Sequence, residues 1–330
     1  MAKVEVSYTM SQKKIQSRSA ASPPRSAGTQ AKISARSSPP TVSGRWLLSA
    51  IGIAFVGAAL CAWGALCLLF WQGSWQLLYH PTSAVTRTPA NAGMPYHPIG
   101  FASMESAGPR LKGWWIPAAP DAKYAGFTVL YMHGQDGNLG DTVNDLTPLH
   151  TLGLNVFAFD YGGYGQSQFQ RPTEARWRED AEQALEYLTE TRHIAADTII
   201  LDGKNLGANL ALEIAAAHPE LAGVVLESPL DAPVDAIFRD PRARLVPAHL
   251  LVRDRFDAVR AAVALKVPSL WLELALAPGV VDLLEKSTAF QRVGSPKMLV
   301  WLNSTRDPRK DSADALTRWL DDLPKRTGNP

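Results

Sequence analysis

Residues 197–217 constrain the fold of this chain more than any other stretch. Thr198-Ile199-Ile200-Leu201 is a β-branched apolar run of the kind that forms a buried parallel strand. Asp202-Gly203-Lys204-Asn205-Leu206-Gly207 then predicts a tight turn flanked by two glycines, and residues 208–217 predict a helix with small side chains where it must lie close to the strand. Strand, turn and helix in so few residues place Asn205 in the middle of the turn, between Gly203 and Gly207.

The same alternation recurs along the chain. Strands are expected around residues 97–104 and 111–116, and at 127–132, the last running into His133-Gly134-Gln135-Asp136-Gly137-Asn138. Residues 153–160 repeat the pattern and lead into Tyr161-Gly162-Gly163-Tyr164-Gly165-Gln166-Ser167. Ala181, Ala184, Leu185 and Leu188 fall three and four apart, which gives an amphipathic helix with Thr173 as its N-cap. Residues 223–226, 267–272 and 298–302 are further strands, 230–262 an irregular helical excursion, and 312–323 a closing helix. Strands alternating with helices imply an α/β domain with a mainly parallel sheet covered on both faces.

Ahead of that domain, 25 residues from Trp46 to Phe70 carry no charge, and the next formal charge is Arg87. A helix of that length covers about 37 Å, more than the roughly 30 Å of bilayer hydrocarbon. Residues 46–71 are therefore expected to cross a lipid bilayer as an uncleaved signal anchor, with Trp46, Trp71, Trp75 and Tyr79 as interfacial aromatics. Residues 1–45 hold eight basic side chains against one acid, Glu5, a net +7, and the chain total of +2 leaves the remainder at −5. That tail, rich in Ser, Ala and Pro, is expected to be disordered and to stay on the cytoplasmic side of an inner (cytoplasmic) membrane, with the globular domain on the other. A mildly acidic body argues against a nucleic-acid partner. Both cysteines, Cys61 and Cys67, fall inside the apolar segment, which excludes disulfides and thiol chemistry from the domain. There is no His/Cys/carboxylate cluster at ligand spacing, so neither a metal nor another cofactor is expected. The expected organisation is a tail at 1–45, a span at 46–71, a linker at 72–95 and a domain at 96–323.

These landmarks together resemble the α/β-hydrolase superfamily, in particular its membrane-anchored single-span members with serine aminopeptidase- or dienelactone hydrolase-like domains. The resemblance rests on Leu77-Leu78-Tyr79-His80-Pro81, Lys112-Gly113-Trp114-Trp115-Ile116-Pro117, Tyr131-Met132-His133-Gly134 with Gly137-Asn138, Phe159-Asp160-Tyr161, Pro172-Thr173-Glu174, the turn from Gly203 to Gly207 and Leu226-Glu227-Ser228-Pro229, all in the family's order. It implies an eight-stranded, mostly parallel sheet whose first two strands run antiparallel to the rest or to each other. It also makes the turn at 203–207 the nucleophile elbow, G-x-S-x-G in the active family, and the backbone N–H groups of Leu206 and Gln135 its oxyanion hole, with His133 and Gly134 in the same loop.

By that resemblance the reactive positions are vacant. Asn205 stands where the nucleophile belongs, and a carboxamide has no proton for a base to remove and a poorly nucleophilic oxygen. Ala277 stands at the acid position beyond the Val267-Pro268-Ser269-Leu270 strand, and Glu273 sits too early, where that strand has barely ended. Arg306, in the loop where the family carries its His, occupies the base position, and no His follows His249. The expected protein is a pseudohydrolase that holds a small acyl ligand or a protein partner. The alternative is an active hydrolase of esters, thioesters or peptides built around Asn205, His133 or His249.

Overall fold

Residues 43–104, 108–275, 288–303 and 308–323 are described by the computed structural model, and by its contacts the chain divides into two units, Met1–Val56 and Gly57–Pro330. The charge-free stretch lies within one α-helix, Gly44–Gly73, which is long and apolar enough to cross a membrane. Its 30 residues correspond to about 45 Å. Large apolar side chains stand exposed along it, with Phe55 at 77 % and Leu48 at 71 % of full exposure. The helix extends beyond residues 46–71 at both ends, and its last turns serve the domain: Phe70 is buried in the same core cluster as Leu78 and Tyr79, and the Trp63 indole N–H donates to Leu245 O at 3.1 Å.

Among the described residues ten strands follow: β1 His80–Pro81, β2 His97–Met104, β3 Gly108–Ile116, β4 Thr128–Met132, β5 Asp136–Gly137, β6 Asn155–Asp160, β7 Ile199–Lys204, β8 Gly223–Glu227, β9 Ser269–Ala275 and β10 Lys297–Asn303. Eight form one sheet in the order β10-β9-β8-β7-β4-β6-β3-β2. β3 runs antiparallel to both its neighbours and every other pairing in this sheet is parallel. β1 and β5 make a separate two-residue parallel pair, so the segment expected only to connect also pins the loop after β4.

The central strands β4 and β7 are buried along almost their whole length because helices cover both faces. On one side the helix Leu206–Ala217 packs with Leu201, Leu226 and Trp271; on the other, residues of Leu139–Thr151 and Pro308–Asp322 pack with Val129, Ile200, Val225 and Leu272. Thr173 caps its helix as the pattern predicts, its hydroxyl accepting Arg176 N–H. The excursion at 230–262 contains three short α-helices, Asp235–Arg239, Ala248–Leu251 and Ala258–Ala264, the last running on to 264, and a 3-10 helix at Pro241–Leu245.

Most strand limits shift by one to three residues from the sequence pattern, and three strands run on past their apolar residues. β7 continues through Asp202, Gly203 and Lys204, which leaves Asn205 alone between the strand and a helix that starts at Leu206. The strand expected to have barely ended at Glu273 runs on to Ala275, so Glu273 is a strand residue, 6 % exposed. β10 reaches Asn303. In each case hydrogen bonding to the neighbouring strand carries the extended backbone past the point where the side chains stop being apolar.

Candidate functional site

The two glycines of the elbow are required by contact. A Cβ on Gly203 would run into the backbone of Gly207 and Ala208, and one on Gly207 would run into the carbonyls of Met132 and His133. Between them Asn205 adopts φ 52°, ψ −119°, a conformation that non-glycine residues rarely take. Asn205 N–H donates to Glu227 O at 2.8 Å, and Asn205 O accepts Ala208 N–H at 3.0 Å, so both flanks of the bend are tied down. Asn205 thus stands at the tip of a strained, tightly packed bend between β7 and the helix that follows it.

The loop after β4 closes over this tip. A Cβ on Gly134 would sit 3.3 Å from Lys204 O and 3.4 Å from Asn205 Cβ, so glycine allows the loop to rest directly on the elbow. His133 is 1 % exposed, its Nδ1 2.8 Å from Gly134 O and its Nε2 3.5 Å from Asp160 Oδ1. A carbonyl oxygen only accepts, which assigns the ring proton to Nδ1. The ring lies against Tyr161, Tyr164 and Trp177, and the two tyrosine hydroxyls donate to His133 O and Gln135 O at 3.1 and 2.9 Å. His133 therefore shapes the loop from beneath.

Of the two oxyanion donors expected from the resemblance, Leu206 N–H is already engaged: it donates to the side-chain Oε1 of Gln135 at 3.3 Å. Gln135 thus meets the elbow through its carboxamide, a role the sequence pattern did not reveal. Its own N–H has no acceptor among the described residues.

No histidine hydrogen-bonds to Asn205. His80 pairs with Asp136 at 2.7 Å, and His218 with Glu182 and Glu220 at 2.8 Å each. His249 lies against Phe238 with centroids 4.0 Å apart and the rings tilted by 33°, and His150 lies in the last turn of its helix. Ser167, one of the two other family-loop serines, donates to Asp160 O and accepts Lys112 N–H. Ser228, the other, donates its backbone N–H to Leu272 O at 2.8 Å. Ala277 and Arg306, the acid and base positions, lie outside the described residues, as do residues 1–42 of the tail.

Charged groups gather just below the elbow, on the sheet face opposite its helix. Lys204 Nζ pairs with Asp145 Oδ2 at 2.7 Å, and Asp202 is 1 % exposed with neither oxygen meeting a hydrogen-bond donor among the described residues. Burial, with Glu227 and Asp145 nearby, pushes the Asp202 carboxyl well above the usual carboxylate range. Burial raises Glu227 to about 7 despite Lys204, and on the other face burial and Asp231 raise Glu273 to about 8. The one available signal for these groups is a carboxylate directly following the apolar run 198–201.

A sequence model described as serine aminopeptidase, S33, matches residues 125–293. An uncharacterized protein of Mycobacterium tuberculosis is 31 % identical over 211 residues, covering 62 % of this chain and 72 % of that one. Human alpha/beta hydrolase domain-containing protein 17B is 32 % identical over 143 residues, 43 % of this chain and about half, 48 %, of the human protein. Among solved structures, an esterase of Pyrococcus furiosus superposes with a TM-score of 0.54 at 15 % identity, over 74 % of this chain and 97 % of that one. An alpha-beta hydrolase of Vibrio vulnificus superposes with a TM-score of 0.51 at 18 % identity, over 71 % and 81 %.

Proposed function

Because the chain belongs to the serine aminopeptidase S33 family of α/β-hydrolases, we propose that it is a membrane-tethered pseudohydrolase, which keeps the family's frame and uses it for binding or regulation. The observation that carries this is the residue at the elbow tip: Asn205 holds the strained backbone of a nucleophile and offers no nucleophile. Two further features support it. The absence of any His beyond His249 leaves the family's base position to Arg306, and the acid position falls to Ala277. The Leu206 N–H that would stabilise an oxyanion is engaged by Gln135. In an active serine hydrolase, loss of a triad member leaves only about 10³ to 10⁴ over water; three losses together remove efficient acyl transfer.

A fluorophosphonate probe tests the proposal on the full chain in detergent. Intact mass spectrometry is expected to show no adduct; an adduct that disappears in Asn205→Ala overturns it. The preserved elbow strain favours one second reading, an atypical hydrolase acting on esters, thioesters or peptides, and the same adduct would establish it. In the proposed setting residues 46–71 cross the cytoplasmic membrane with the basic tail inside, a topology supported by the tail's eight basic side chains against one acid. The domain then meets a small acyl ligand or a protein partner outside.

A further inference from the structure

A cavity of about 280 Å³ opens at the C-terminal edge of β7, β8 and β9, between the sheet and the helices Leu139–Thr151 and Pro308–Asp322. It is far larger than the roughly 30 Å³ a water molecule occupies. Its lining is mixed in chemistry. Leu149, Val225, Leu272 and Leu316 are apolar and Asp145, Asp202, Lys204 and Glu227 are polar or charged, with Asp202 beside Val225 and Glu227 beside Leu272 on adjoining strands.

Among the described residues the charges of the lining do not balance. Lys204 is bound to Asp145, whose Oδ2 also accepts the Tyr131 hydroxyl at 3.4 Å. Asp202 lines the cavity with both oxygens buried and without a donor among the described residues, and Glu227 lies beside it on the adjoining strand, where Lys204 and Glu227 are register partners. Among the described lining residues one ammonium thus faces three carboxyl groups. A buried carboxyl without donors is costly unless a cation or a proton meets it.

From this arrangement we infer that the cavity is a binding site for a small primary amine with an apolar body, whose ammonium donates to Asp202 and whose alkyl or aryl part rests on Leu149, Leu272 and Leu316. An ammonium supplies the donors that Asp202 lacks and the positive charge that Lys204, committed to Asp145, cannot share. The apolar part of the lining selects against strongly hydrated cations such as free metal ions. Burial holds protons on Asp202 and Glu227 when no cation faces them, so the amine binds with release of a proton. The inference is independent of the elbow's chemistry, since the cavity lies on the sheet face opposite the elbow helix.

Isothermal titration calorimetry of the full chain in neutral detergent tests it, with n-hexylammonium as the probe and n-hexanol as its uncharged counterpart. Runs in two buffers of different ionisation enthalpy report proton release. Hexylammonium is expected to bind at least about tenfold more tightly than hexanol, and Asp202→Asn to weaken it at least about tenfold, as for a charge-assisted hydrogen bond. Asp202→Asn keeps the shape of the side chain and is neutral, as the buried carboxyl already is without a cation, so it folds, and it is expected to abolish the proton release; Glu227→Gln, the second variant, leaves Asp202 in place and is expected to keep the release. Equal binding of hexanol, no binding of hexylammonium, or affinity unchanged in Asp202→Asn overturns the inference.

Discussion

The side-chain oxygen of Gln135 accepts the backbone N–H of Leu206 at 3.3 Å, so the residue after the elbow tip gives its proton to the protein's own carboxamide. The contact joins the loop after β4 to the first turn of the elbow helix. In Gln135→Ala the Leu206 amide is expected to exchange with solvent about tenfold faster and to shift upfield in the NMR spectrum. An unchanged amide would show that the carboxamide does not hold this donor in solution.

The elbow is a product of backbone sterics, whatever residue stands at its tip. Gly207→Ala is expected to destabilise the domain by about 3 kcal/mol or more, because the added methyl meets the carbonyls of Met132 and His133. Asn205→Gly should be close to neutral, whereas Asn205→Val should cost about 1 to 3 kcal/mol at φ 52°. Urea unfolding of the three variants checks the order.

The elbow and the strands β4, β6 and β7 were legible in the sequence because their apolar runs end in glycine-bearing turns. The end of β7 was not. Asp202 and Lys204 have the composition of a turn, and they belong to the strand because hydrogen bonding to β8 continues to the Lys204–Glu227 pair. The same blindness hid the length of β9, where Glu273 is a strand residue with a buried side chain. Gln135 was singled out for its backbone, and its side-chain role depends on how close two loops approach, which spacing along the chain does not encode. That Asn205 stands at the bend between strand and helix was legible because Gly203 and Gly207 bracket it.

Asn209 on the elbow helix is 2 % exposed and clamps the loop after β8 from both sides: its Oδ1 accepts Leu230 N–H at 2.9 Å and its Nδ2 donates to Leu230 O at 2.7 Å. Asn209→Ala strands both backbone groups and is expected to cost about 2 to 4 kcal/mol. Thermal unfolding that matches the parent protein would contradict this.

Stability is expected to fall as pH rises between about 4.5 and 8. Glu227 and Glu273 have folded values raised to about 7 and about 8 from an ordinary 4.5, so the folded state holds more protons than the unfolded chain across that window. Their contribution is fully present below 4.5 and is lost as pH passes through the raised values, on the order of 2 to 4 kcal/mol each. Denaturant midpoints measured from pH 5 to 8.5 should fall in the parent and flatten in Glu227→Gln and Glu273→Gln; parallel slopes would contradict the assignment.

The most direct test is turnover of p-nitrophenyl acetate by the purified full chain beside Asn205→Ala. The account predicts that both proteins hydrolyse the ester no faster than buffer containing the same concentration of an unrelated protein. Saturable turnover by the parent that Asn205→Ala abolishes would mean that the elbow still does chemistry.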